Sequence, residues 1–171
     1  MPPPAPFIVT AQLPPDILAW ADGLRRAHYP AHRNRLKAHV TLFHAFAPSL
    51  REELRGVLAR TAGEYAPPQA WLDGIMRLGG GTALAIESPC LLEIRERVAE
   101  HFHGALTAQD SHAPRLHITI QNKVSEHQAR ALQQGLDAVL KPRKFSFRGL
   151  EMHLYREAYW EKLGQWSFRG K

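Results

Sequence analysis

A four-residue pattern of histidine, apolar, threonine, apolar occurs twice, as His39-Val40-Thr41-Leu42 and as His117-Ile118-Thr119-Ile120, once in each half of the 171-residue chain. On a β-strand successive side chains point to opposite faces, so His39 and Thr41 share one face while Val40 and Leu42 share the other. Each copy therefore predicts a strand with an apolar back turned to the core and a polar, titratable front. The pair is read as the site around which the chain is organised.

Periodicity and turn chemistry predict the elements between the motifs. A strand is expected over 7–13, ended by Pro14-Pro15. A helix is expected over 15–28, where Ile17, Trp20, Ala21, Leu24 and His28 recur at helical spacing. The first motif strand is expected over 37–46, after a basic connector, Arg33, Arg35 and Lys37, that reads as a solvated loop, with contact between one of these cations and substrate as the alternative. Pro48-Ser49 opens a second helix, with Ser49 and Glu52 as a capping box and Leu50, Leu54, Val57 and Leu58 as its buried stripe. Strands over 70–78 and 82–87 flank Gly79-Gly80-Gly81, which reads as a hairpin turn and not a phosphate loop, because no helix start follows it directly.

Ser88-Pro89 begins a third helix, with Leu91, Ile94, Val98, Phe102 and Ala105 on one face. The second motif strand is expected over 115–123. Ser125 and Gln128 cap a fourth helix whose stripe is Ala129, Leu132, Leu136 and Val139. In the tail, Phe145, Phe147, Leu150, Met152 and Leu154 stand in alternation with a phase break at Arg148-Gly149, and a last strand covers 161–168. Roughly seven strands and four helices in mixed order make the fold class α+β, with antiparallel hairpins packed under helices. Each motif strand is followed by a capped amphipathic helix, a weak internal repeat. The chain, 1–171, reads as a single domain with two lobes.

Composition bounds the partners. Hydrophobic residues make up 44% of the chain, enough for a sizeable core. A formal charge of +6 favours an anionic partner such as a nucleotide or RNA. The single cysteine, Cys90, excludes a disulfide framework and a multi-cysteine zinc site, and is expected to pack within a helix. Neither His28 with His32, separated by Pro30, nor His101 with His103 forms a ligand pair on one helix face, so no metal is expected. The start, Met1-Pro2-Pro3-Pro4-Ala5-Pro6, lacks a basic region followed by an apolar stretch, and no run of 18 apolar residues occurs. A cytoplasmic monomer that does not enter a membrane is expected.

Two histidines facing one reacting centre can divide the roles of general base and general acid near neutral pH. Phosphodiester hydrolysis needs that pair. One imidazole takes a proton from the attacking water while the other protonates the leaving ribose oxygen. The threonine hydroxyls, on the same faces, can donate to the non-bridging phosphoryl oxygens. His39, Thr41, His117 and Thr119 are therefore the catalytic candidates, and such a site needs no cofactor. If the second strand stays regular, Arg115, His117, Thr119, Gln121 and Lys123 share a face, making Lys123 and Arg115 candidates for phosphate binding. Phe43, on the face of His39 and Thr41, is a candidate for stacking on a base, and Tyr155 for lining the cleft. His44 lies on the opposite face and reads as structural.

These residues resemble the 2H phosphoesterases, the LigT-like or 2′-5′ RNA ligase family, named for two His-x-Thr/Ser motifs. The resemblance spans nearly the whole chain, since Leu154-Tyr155-Arg156-Glu157 through Tyr159 to Trp166-Ser167-Phe168 looks like that family's closing hairpin. It implies a bilobal, pseudo-twofold fold of two antiparallel sheets facing across a cleft, with helices outside. His39, Thr41, His117 and Thr119 fall on the family's catalytic positions. Many members carry an arginine five residues after the second motif's histidine, where this chain has Asn122 followed by Lys123. The resemblance implies a metal-independent phosphodiesterase opening a 2′,3′-cyclic phosphate on RNA ends or cyclic nucleotides to a 2′-phosphate. Reversible 2′-5′ RNA ligation by the same residues is the rival activity, and a non-catalytic RNA-binding module is the rival of another class.

Overall fold

A computed structural model describes residues 5–171. Residues 1–4, part of the stretch read above for a targeting signal, lie outside the described residues. The first half runs β1 (Phe7–Gln12), α1 (Pro15–His28), β2 (Val40–Phe46) and α2 (Arg51–Glu64). After β3 (Gln69–Leu78) the same order returns as β4 (Gly81–Glu87), α3 (Pro89–His101), β5 (His117–Gln121) and α4 (Glu126–Val139). The chain ends with β6 (Arg143–Ser146), β7 (Gly149–Tyr155) and β8 (Trp160–Ser167).

The strands form two four-stranded sheets, β2-β1-β7-β8 and β5-β4-β3-β6, with antiparallel neighbours throughout. The α+β class is as expected, and the two sheets are built alike. Each places a motif strand at one edge, paired to the first strand of its own half. The break at Arg148-Gly149 is where the chain crosses from one sheet to the other, so the tail holds three strands. Phe147 is fully buried at that crossing.

Local chemistry explains the element ends. The β1–β2 ladder stops at the Ala11 and Val40 pair, three residues before Pro14, so β2 starts later than position 37. Ser88 caps α3 by accepting from the Leu91 N–H, and Ser125 with Gln128 closes a complete capping box on α4. The box expected at Ser49 and Glu52 does not form. Pro48–Leu50 is instead a 3₁₀ turn, and α2 begins at Arg51 without a side-chain cap. α3 stops at His101, so Phe102 packs in the core from beyond the helix while Ala105 is exposed. Val139 and Cys90, both expected inside, are exposed, each at an end of its helix.

Gly79 and Gly80 form the turn between β3 and β4, and the Gly80 carbonyl accepts from the Val124 N–H. A Cβ on Gly81 would collide with the Gln121 backbone, so glycine lets β5 close against the start of β4. Among the described residues no helix is long and apolar enough to cross a membrane.

Candidate active site

His39 sits one residue before β2 and is held there by three contacts. Asp22 on α1 accepts from the N–H of Ala38 (2.5 Å), the His39 Nδ1–H donates to the Lys37 carbonyl (2.8 Å), and the ring lies 4.6 Å from the Trp160 ring, centroid to centroid. His117 opens β5 with a matching bond: its Nδ1–H donates to the Arg115 carbonyl (2.7 Å). A carbonyl can only accept, so in each ring the hydrogen on Nδ1 is fixed by that bond and Nε2 is the nitrogen left free of it. Nε2 is the atom that can take or give a proton.

The strands around the two motifs share one irregularity. Thr41 pairs with Thr10, but Phe43 pairs with Val9; Thr119 pairs with Ala83, but Gln121 pairs with Thr82. Each motif strand thus holds one extra residue just after its threonine, a β-bulge at Leu42 or Ile120. The bulges reverse the side-chain phase, and two expectations fail for that reason. Phe43 turns inward and is fully buried, so it cannot stack on a bound base. Gln121 also turns inward, accepting from the Thr82 hydroxyl (2.9 Å), and β5 then ends. Lys123 falls in the following turn with φ of 59°, exposed and off the motif face.

Arg115 is exposed and serves His117 through its main-chain carbonyl. Tyr155 ends β7 at the exposed rim, while its cross-strand partner Trp160 is the aromatic that reaches His39. His44, expected to be structural, hydrogen-bonds Asp110 from its ring and its main chain.

The two motifs meet in one locality. β2 touches β5, and buried arginines cross between the halves in both directions. Arg25 of α1 donates to the Thr119 carbonyl (2.6 Å) and to the Asn34 side chain (3.2 Å), with its guanidinium 4.3 Å from the centre of the Tyr29 ring. Arg95 of α3 donates to the Leu42 carbonyl (3.2 Å) and the Asp110 carbonyl (2.5 Å), 4.2 Å from the centre of the Phe43 ring. Each half's first helix thereby holds the bulged motif strand of the other half. Burial lowers the pKa of both guanidiniums from an ordinary value so high that they remain charged. Their sequence signal is a cation in phase with an apolar stripe, Ile17-Ala21-Arg25 and Leu91-Arg95-Val98.

The surroundings of His39 set its charge. Burial pushes the His39 pKa down to about 4, and the positive charges of Arg25, His153 and His117 push in the same direction, against the bond to Lys37. His39 is neutral at pH 7. Burial also lowers the pKa of His153, helped by Lys162 and opposed by Glu151, and its Nε2 is hydrogen-bonded to the Thr10 hydroxyl (2.9 Å).

A cavity of about 490 Å³ adjoins His39, walled by β1, β7, β8 and the 35–39 segment. His153, Trp160 and Lys162, with Arg35 and Lys37 of the exposed connector before β2, line it; no motif in the sequence marks these five as a group. Among the described residues no group of three or more His, Cys, Asp or Glu side chains is placed to hold a metal ion.

Comparison with known proteins gives this geometry a family. The family model for the 2′-5′ RNA ligase superfamily matches residues 13–158, both motifs included. The chain belongs to the 2′-5′ RNA ligase superfamily. Its fold is that of the 2H phosphoesterases. TT0787 of Thermus thermophilus superposes with a TM-score of 0.68 at 16% identity, over 97% of this chain and 99% of that one. E. coli LigT complexed with 3′-AMP gives 0.66 at 14% identity, over 96% and 98%. LigT complexed with NADP+ gives 0.64 at 14% identity, over 97% and 99%. No curated protein matches in sequence. At these identities the neighbours establish the fold, and membership of the superfamily supports phosphodiesterase-type activity.

Proposed function

We propose that the protein is a metal-independent phosphodiesterase that opens 2′,3′-cyclic phosphates of RNA ends or nucleotides to 2′-phosphates, with His39 and His117 as paired base and acid. The observation that carries this reading is the matched locking of the two rings, each with Nδ1–H on a carbonyl two residues back and Nε2 left for proton transfer. His39, neutral at pH 7, suits the base. It takes a proton from water as the water oxygen bonds to phosphorus; the bond from phosphorus to the 3′ oxygen breaks, and His117 supplies the proton that oxygen needs. Thr41 and Thr119 stabilise charge on the non-bridging oxygens. That E. coli LigT structures hold 3′-AMP, ATP and NADP+ supports a nucleotide-type substrate.

The test is a panel of 2′,3′-cyclic nucleotides, cyclic-ended oligonucleotides and 2′-5′-linked RNA incubated in chelator, with products assigned by mass and phosphate position. Cyclic phosphates should yield 2′-phosphates. Alanine at His39 or His117 should lower turnover by roughly 10²- to 10⁴-fold, and the double variant should be far less than multiplicatively worse because the two act as a unit. Alanine at Thr41 or Thr119 should cost less. Turnover of 2′-5′-linked RNA alone would favour the ligase activity. RNA binding that survives both histidine changes, with no turnover of any substrate, would leave a binding module.

A further inference from the structure

The two halves repeat each other around the motifs, so a feature present on one side only is where substrate selection can reside. The cavity beside His39 is such a feature: no residue of β5 lines it. It exists because the β2-β1-β7-β8 sheet curls until Trp160, at the start of its last strand, packs against His39 and 5.7 Å from the His153 ring. β8 adds to the curl where its ladder slips by one residue between Gly164 and Lys162, and Gly164 leaves room for the Trp166 indole. The other sheet cannot fold over in this way. Its last strand, β6, has four residues and pairs only with positions 69–72.

The walls of the cavity indicate a ligand class. Its volume falls within the range that holds a small organic ligand. Trp160 and the half-exposed Tyr159 offer aromatic surface. Arg35, Lys37, Arg148 and Lys162 bring four cations against one carboxylate, Glu151, which is already paired with Lys162 (2.6 Å). Excess positive charge beside an aromatic platform suits a flat base on a sugar that bears a second phosphate.

We propose that this cavity seats the nucleoside carrying the scissile phosphate, its base against Trp160 and its 5′-phosphate met by the charges of Arg35, Lys37 and Arg148. The proposal rests on the reaction proposed above. It makes the preferred substrate a nucleotide with phosphate on both sides of its ribose, as at the 3′ end of an oligonucleotide, in preference to a free cyclic nucleoside phosphate.

Three cyclic phosphates test this: adenosine 2′,3′-cyclic phosphate, its 5′-phosphorylated form, and methyl riboside 2′,3′-cyclic phosphate, which has no base. In the wild type the base should raise kcat/KM by roughly 5- to 100-fold, and the 5′-phosphate should raise it further. Trp160→Ala should erase most of the base's advantage and Trp160→Phe should restore much of it. Arg35→Ala with Arg148→Ala should erase the 5′-phosphate's advantage alone. Equal kcat/KM for base-bearing and base-free substrates, or a Trp160→Ala loss that is the same for both, overturns the proposal while leaving the reaction intact. Calorimetric binding of adenosine 2′-phosphate against methyl riboside 2-phosphate reads the seat without turnover. A Trp160-dependent preference there, in a protein that hydrolyses none of the three, would overturn the reaction and keep the seat.

Discussion

His39 shows how one residue's surroundings set both its chemistry and its cost. An imidazole in the unfolded chain takes a proton as pH falls through about 6.5, whereas in the folded protein it resists until about 4. Between those values the unfolded state binds more protons than the native one, so stability falls as pH falls, by on the order of 3 kcal/mol when the pH reaches the lower value. Urea denaturation at pH 7 and near pH 4 should show the wild type losing about 2–3 kcal/mol more than His39→Asn across that range. An equal loss in both would mean that His39 is not held neutral. If His39 is the base, the acid limb of kcat/KM in the wild type should lie well below pH 6.

At the scale of elements, the bulge after each threonine is the decisive feature, because a bulged strand has main-chain groups that the ladder no longer serves. On β2, where a second slip falls between Phe43 and Phe46, the buried Asp110 carboxylate accepts from the N–H groups of His44 (2.9 and 3.0 Å) and Ala45 (2.9 Å). Burial pushes its pKa up, but the bonds from the His44 ring and the two N–H groups outweigh that, and the carboxyl is held below its ordinary range. Asp110→Ala should cost about 2 kcal/mol in urea denaturation at pH 7, since it removes the acceptor of two partly buried main-chain donors. Glu157→Ala in the exposed β7–β8 turn should change stability by less than about 0.5 kcal/mol. Arg25→Met removes both a bond to β5 and a charge that opposes His39 protonation. It should destabilise the fold and also move the acid limb of kcat/KM to higher pH, a shift that mere loosening of a helix would not produce.

For the whole molecule, two β-α-β-α halves exchange arginines across their junction, and one sheet curls to close a cationic cavity on one side of the site. The net charge of +6 and the cations at the cavity make recognition of a polyanion partly a matter of screened electrostatics. Raising salt from about 50 to about 300 mM should increase KM for a cyclic-ended oligonucleotide by roughly tenfold with little change in kcat. The same change should alter KM for the free cyclic nucleoside phosphate much less, because it carries one charge. A KM for the oligonucleotide that ignores salt would assign its recognition to uncharged contacts.

Patterns within single segments were enough to determine the two motif strands, their apolar backs, the helix start at Ser88-Pro89, the cap at Ser125, the glycine hairpin and the α+β class. Each depends on contacts within a few residues or on a period of two or 3.6. Extrapolating strand regularity beyond the threonines failed for Phe43 and Lys123, because a bulge is set by how a strand meets its neighbour and leaves no mark in the strand's own alternation. Arg25 and Arg95 were legible only as cations out of place on apolar stripes; what they hold depends on which strand of the other half lies within reach. Trp160, 121 positions from His39 in the chain, became its neighbour only through the accumulated twist of four paired strands. Twist adds up across a sheet, so the tertiary structure alone decided which side of the site is enclosed.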